Sequence, residues 1–228
     1  MDSIRIAAAG AELDGTLTLP AEPVGVVLFA HGSGSSRFSP RNRFVAEALQ
    51  QVGLGTLLMD LLTRDEEADD EGTGHLRFDI GLLAERVLHA TDWLSHNAET
   101  RLLPIGYFGA STGGGAALVA AAERPDAAAA IVSRGGRADL AGPRLARVRA
   151  PTLLIVGGWD PEVIDLNQQA LAHMPPGVGS LEIVPRATHL FEEPGALEQV
   201  ARLASTWFVR HLSVSGAAGQ PATSAPVL

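Results

Sequence analysis

The segment Val24 to Ala30, VGVVLFA, is apolar at every position apart from its one glycine. A strand of that composition has no face suited to water, so it belongs inside a sheet covered on both sides. Further apolar runs lie at Gly55 to Leu62, Pro104 to Phe108, Ala128 to Val132 and Thr152 to Val156, with another strand expected at Leu181 to Val184. Between them come helical patterns. Pro40 to Val52 carries Phe44, Val45, Ala48, Leu49 and Val52 at helical spacing, and Phe78 to His96 carries Ile80, Leu83, Val87, Ala90 and Leu94 on one stripe. Gly113 to Ala122, Pro161 to His173 and Leu197 to Leu212 complete the series. Strands alternating with helices over short connections specify a mostly parallel sheet built from right-handed crossovers and covered on both faces, a three-layer α/β architecture.

One domain over residues 1–212 is expected, with residues 213–228 as a flexible tail rich in breakers. Ile4 to Thr18 reads as two short antiparallel edge strands, with Asp14-Gly15 in a turn or bulge. The acidic segment Thr63 to Gly74, which contains RDEEADDEG, reads as a solvated surface loop.

Composition narrows the chemistry. The chain carries 17 basic and 26 acidic residues, a net charge of −9, which argues against nucleic acid or an anionic membrane surface as the main partner. All basic residues are arginine, so neither a Schiff-base lysine nor a P-loop lysine is available. Without cysteine there is no thiolate metal site or thiol nucleophile, and covalent catalysis must use oxygen or imidazole. The N-terminal segment lacks the pattern of an export signal, so the expected location is cytoplasmic. The expected partner is a small molecule, and the apolar composition permits a homodimer.

In open α/β sheets, ligands gather at the carboxyl ends of the strands. Those ends here carry His31-Gly32-Ser33-Gly34, then Gly109-Ala110-Ser111-Thr112-Gly113, then Gly157-Gly158-Trp159-Asp160, and finally Pro185-Arg186-Ala187-Thr188-His189. Serine, acid and histidine follow one another in the chain order used with a nucleophile elbow. Gly109 to Gly113 is G-x-S-x-G between a strand and a helix, where small neighbours let the backbone turn sharply and present the serine hydroxyl. Ser111 is the candidate nucleophile, His189 its base and Asp160 the orienting acid. Asp165, on a helix, and Asp139, in a cap position, compete less well than Asp160, which directly follows its strand. The Thr112 backbone N–H at the helix N-terminus and the Ser33 N–H in the glycine-rich loop, with Gly34 next, are the candidate oxyanion donors. His31 is expected to hold that loop by hydrogen bonding, and the remaining histidines to lie on the surface.

HGSGSSRFSPRNRFVAEAL, GYFGASTGGGAAL, APTLLIVGGWD and VPRATHLFEEPGALEQVA together resemble the α/β-hydrolases of the dienelactone hydrolase type. The likeness runs from Val24 to His211. It implies the α/β-hydrolase fold, Ser111, His189 and Asp160 as catalytic residues, and no metal or organic cofactor. Typical members carry cysteine at the elbow, and serine here turns the expectation toward general ester hydrolysis. The absence of a long lid-like insertion suits small or medium acyl groups. Arg37, Arg64 and Arg134 lie near strand ends, as surface arginines or as a clamp for a substrate carboxylate. An acyltransferase using the same triad and a non-catalytic binding protein are the rival readings.

Overall fold

In a computed structural model of the chain, residues 2–8 and 10–213 are described. The described residues form one eight-stranded sheet, with the apolar runs at its centre: β1 (Asp2–Ala8), β2 (Ala11–Thr18), β3 (Val26–Ala30), β4 (Gly55–Met59), β5 (Ile105–Ala110), β6 (Ala130–Arg134), β7 (Thr152–Gly157) and β8 (Gly179–Val184). Their spatial order is β1-β2-β4-β3-β5-β6-β7-β8. β2 pairs antiparallel with β1 and β4, and every pairing from β4 across to β8 is parallel. Each residue of β3 to β7 is buried, as continuous apolar composition requires of strands covered on both sides.

The covering helices are α1 (Pro40–Gln51), α2 (Arg64–Asp70), α3 (Ile80–His96), α4 (Thr112–Glu123), α5 (Pro161–His173) and α6 (Ala196–Leu212). Val45, Ala46 and Leu49 of α1 join Val200, Ala204 and Phe208 of α6 over one face. Leu83, Val87 and Leu94 of α3, the alanines of α4 and Ala170 of α5 cover the other. Phe44 and Val52, expected on the inward stripe of α1, are exposed, and Ala46 takes an inward place. α4 is buried on nearly every side, which its glycines and alanines permit by keeping the helix thin.

Three expectations change. The β1–β2 reversal is at Gly10, with φ of +83°, and Asp14-Gly15 lie within β2. A Cβ on Gly15 would lie 3.0 Å from Cγ1 of Ile4 on the neighbouring strand, so glycine leaves that side chain its room. The acidic segment contains a helix, α2, whose N-terminus carries a complete capping box: the Thr63 hydroxyl accepts from Glu66 N–H and the Glu66 carboxylate accepts from Thr63 N–H. Around Asp139, expected only as the cap of a turn, helical turns run over Ala138–Arg147 with an interruption at Gly142, and Asp139 lies in their first turn with Arg137 at the cap. Apart from Ser213, the expected tail lies outside the described residues.

The chain crosses from β3 to β4 on one side, then returns past β3 to β5 on the other, so the connections diverge between β3 and β5. A crevice forms at such a divergence. The β3 loop carrying Ser33 and the β5 elbow carrying Ser111 are therefore neighbours, although 78 residues separate them in sequence.

Candidate active site

Ser111 lies between β5 and α4 with φ of 50° and ψ of −123°, a left-handed conformation that a serine adopts only under constraint. The glycines around it supply the constraint. A Cβ on Gly109 would lie 2.5 Å from Gly113 O, and one on Gly113 would collide with the Ala30 and His31 carbonyls. The spacing G-x-S-x-G thus serves close backbone packing on both sides of the turn.

His189 follows β8 and bridges two groups. Its Nδ1 is 2.7 Å from Asp160 Oδ2 and its Nε2 is 3.4 Å from Ser111 Oγ. The second distance exceeds the usual hydrogen-bond optimum, as is common for such pairs without substrate. Asp160 precedes α5, yet its side chain does not cap that helix and is left to face His189. Asp165 lies exposed on α5, and Asp139 is held by a two-toothed contact with Arg137. Ser111, His189 and Asp160 are brought together; the competing acids are not. Trp159, beside Asp160, is exposed.

Ser33 N–H lies 2.9 Å from Thr112 Oγ1 and donates to it. The loop is anchored by His31, whose Nε2 accepts from Leu61 N–H at 3.0 Å while Nδ1 donates to Gly32 O at 2.9 Å. That pattern fixes a neutral imidazole, and burial lowers its pKa from the usual 6.5. His31 therefore holds the loop, as expected.

A cavity of about 350 Å³ adjoins Ser33 and Thr112, with Leu61, Leu62 and Leu83 on its apolar side and Glu67, Glu71 and Arg77 on its polar side. The polar wall comes from α2 and the segment after it. Arg86, almost fully buried in α3, grips Glu66 at 2.5 and 2.7 Å and also donates to Leu61 O. Asp70, also buried, accepts from Leu76 N–H, Arg77 N–H and Arg77 Nε. Burial alone would raise the Asp70 carboxyl, but these donors outweigh it and hold the pKa at about 2. Glu67 moves the other way, raised by burial and by the nearby Asp60. The sequence signal for this wall was the Thr63-x-x-Glu66 spacing, masked by the surrounding acids.

Of the three candidate clamp arginines, Arg37 is paired with Asp60 and Asp14. Arg64 is exposed on α2. Arg134 is buried beside Asn42, with its guanidinium carbon 5.8 Å from the centre of the Phe191 ring, and burial together with Arg41 lowers its pKa to about 10. Among the described residues no group of three or more metal-binding side chains is present, and no helix is long and apolar enough to cross a membrane.

No protein-family model matches the chain. Among solved structures, a dienelactone hydrolase from Anabaena variabilis is 61% identical with a TM-score of 0.90, the match covering 92% of this chain and 97% of that one. Est1E from Butyrivibrio proteoclasticus is 17% identical with a TM-score of 0.73, covering 92% and 98%. A Xanthomonas campestris α/β serine hydrolase described as having no lid is 19% identical with a TM-score of 0.72, covering 94% and 96%. These last two share the fold. Two Mycobacterium tuberculosis proteins, each named "Putative phosphoribosyl transferase", are 55% identical over 218 residues, 96% of this chain but 48% of theirs. The chain thus spans about half the length of these curated relatives.

Proposed function

Because the chain belongs to the dienelactone hydrolase family of α/β-hydrolases, we propose that it is a serine hydrolase of carboxylic esters or lactones with small or medium acyl groups, acting through Ser111, His189 and Asp160. The observation that carries this reading is the continuous contact from Asp160 Oδ2 through both nitrogens of His189 to Ser111 Oγ.

Ser111 Oγ attacks the ester carbonyl carbon as His189 Nε2 takes the hydroxyl proton. Asp160 accepts from Nδ1–H, which fixes the tautomer and stabilises the imidazolium. The carbonyl oxygen gains the negative charge at the N-terminus of α4, where the Thr112 N–H and the Ser33 loop offer donors. Collapse of the tetrahedral intermediate breaks the bond to the leaving alkoxide, which takes the proton from His189. Water then attacks the acyl-enzyme with His189 again as base, and the carboxylic acid is released.

The name phosphoribosyl transferase belongs to relatives more than half of whose length lies outside the match. The groups at the strand ends of this chain support acyl transfer, with water as the acceptor in this reading, and the proposal follows the site. Turnover of p-nitrophenyl esters by wild type and Ser111→Ala tests it. The substitution should lower kcat/KM by roughly 10⁴-fold or more while leaving the melting temperature near wild type. Retained activity would remove the assignment.

A further inference from the structure

The loop donor of the proposed oxyanion hole already has a partner. Ser33 N–H points at Thr112 Oγ1 from 2.9 Å, within the roughly 2.7–3.1 Å at which such a donor would hold a reacting oxygen. A purely backbone hole of Ser33 and Thr112 amides therefore does not describe this site, because one of its two N–H groups is directed at a side chain. We infer that the Thr112 hydroxyl is itself a catalytic group, accepting from Ser33 N–H and donating its own proton to the oxyanion. The inference rests on the ester-hydrolase reading and deepens it.

A hydroxyl can do both at once, since it has one proton and two lone pairs. Among the described residues, its contact with Ser33 is the hydrogen bond the structure gives it, which leaves the proton available. A donor that is also accepting is polarised by the bond it receives, so the Ser33 amide acts on the oxyanion through Thr112. Position agrees with this. Thr112 follows the nucleophile directly, its side chain is mostly buried, and with Ser33 it lines the cavity of about 350 Å³ beside the elbow.

The contact is built in rather than incidental. Gly113 packs so closely on the Ala30 and His31 carbonyls that a Cβ there would collide with them, and a Cβ on Gly32 would lie 3.0 Å from Ser111 Cβ. His31 ties the base of the same loop to Leu61. Loop and elbow cannot part without breaking these contacts, so Thr112 Oγ1 stays within reach of Ser33 N–H as charge develops.

The test compares Thr112→Val, Thr112→Ala and Thr112→Ser with wild type, using p-nitrophenyl butyrate and a trifluoromethyl ketone that forms a tetrahedral adduct with the serine. Valine keeps the side-chain shape, alanine removes it without adding bulk, and serine keeps the hydroxyl. Thr112→Val and Thr112→Ala should each lose about 10²-fold in kcat with KM within about twofold of wild type. Both should bind the ketone correspondingly more weakly, and Thr112→Ser should recover most of both losses.

If the hydroxyl merely plugs the hole, Thr112→Ala frees Ser33 N–H and raises kcat, which overturns the inference. Equal impairment of the valine, alanine and serine variants, with KM rising in step, overturns it as well. Thermal melts accompany each variant, and the alanine variant carries the test should valine fail to fold. Ser111→Ala, assayed alongside, separates the two readings. Full activity there removes the hydrolase and the Thr112 role together, whereas an inactive Ser111→Ala beside an unimpaired Thr112→Val and Thr112→Ala removes the Thr112 role alone.

Discussion

His31 contributes to the candidate site without hydrogen bonding to Ser111, Asp160 or His189, because its imidazole joins the β3 loop to the segment just after β4 only when neutral. Protonation would set a second N–H against Leu61 N–H. Since burial lowers its folded pKa below 6.5, its contribution is fully present above pH 6.5 and is lost as pH falls through the lower folded value. Stability to urea should therefore decline across that window, and His31→Asn should flatten the slope; an unchanged slope would refute the role. His211 is shifted the same way and remains as background in both proteins. Arg134 presents the opposite situation, a buried cation with no ion pair among the described residues and one acceptor at 3.5 Å. A buried charge so weakly matched contributes little to folding, so Arg134→Met should be neutral or stabilising by about 1–3 kcal/mol in urea denaturation. A loss of similar size would reveal a compensating partner.

α2 depends on charge where the neighbouring elements depend on apolar packing. Glu66 closes the capping box and also balances Arg86, which holds its carboxyl below the usual range. Glu66→Leu would strand the Arg86 guanidinium, and urea denaturation should show a loss of about 2–3 kcal/mol, below the fully buried case because Glu66 is partly exposed. The Asp70 cluster adds an acid limit: with its pKa held at about 2 against an ordinary 3.8, its contribution is complete above 3.8 and disappears as pH falls through about 2. This element also marks the limit of what local composition specifies. Strands β3 to β7 were legible because burial on both faces forces long apolar runs, and the candidate site was legible because Ser111 and Asp160 come just after two of these strands and His189 shortly after β8, whose burial is only partial. α2 was not. Its partners Arg77 and Arg86 lie outside the acidic run, so the local composition reads as solvent-facing while the ion pairs that fold it are formed in space. The Ser33–Thr112 contact was hidden for a related reason: spacing identifies which amides can face an oxyanion, but not which side chain already occupies one of them.

At the scale of the whole molecule, the divergence of connections between β3 and β5 sets Ser111 and the Ser33 loop at the ends of adjacent strands, while Asp160 and His189, the proposed acid and base, follow β7 and β8 on the far side. Among the described residues no large lid domain covers this end; the short segment 60–79 between β4 and α3 forms one wall of the cavity instead. With about 350 Å³ available beside the elbow, kcat/KM for a series of p-nitrophenyl esters should be greatest from acetyl to hexanoyl and fall at least tenfold by dodecanoyl. A steady rise with chain length would contradict a bounded acyl pocket.

The same wall bears on how a reaction cycle would end. In the proposed reaction an ester enters uncharged at the bond to be cut, but the acid it yields ionises near neutral pH, within the field of Glu67 and Glu71, while Arg77 on the same wall is already balanced by Asp70. Like charges in a partly enclosed cleft repel, so the departing carboxylate is pushed toward solvent, and accumulated acid should inhibit the enzyme only weakly.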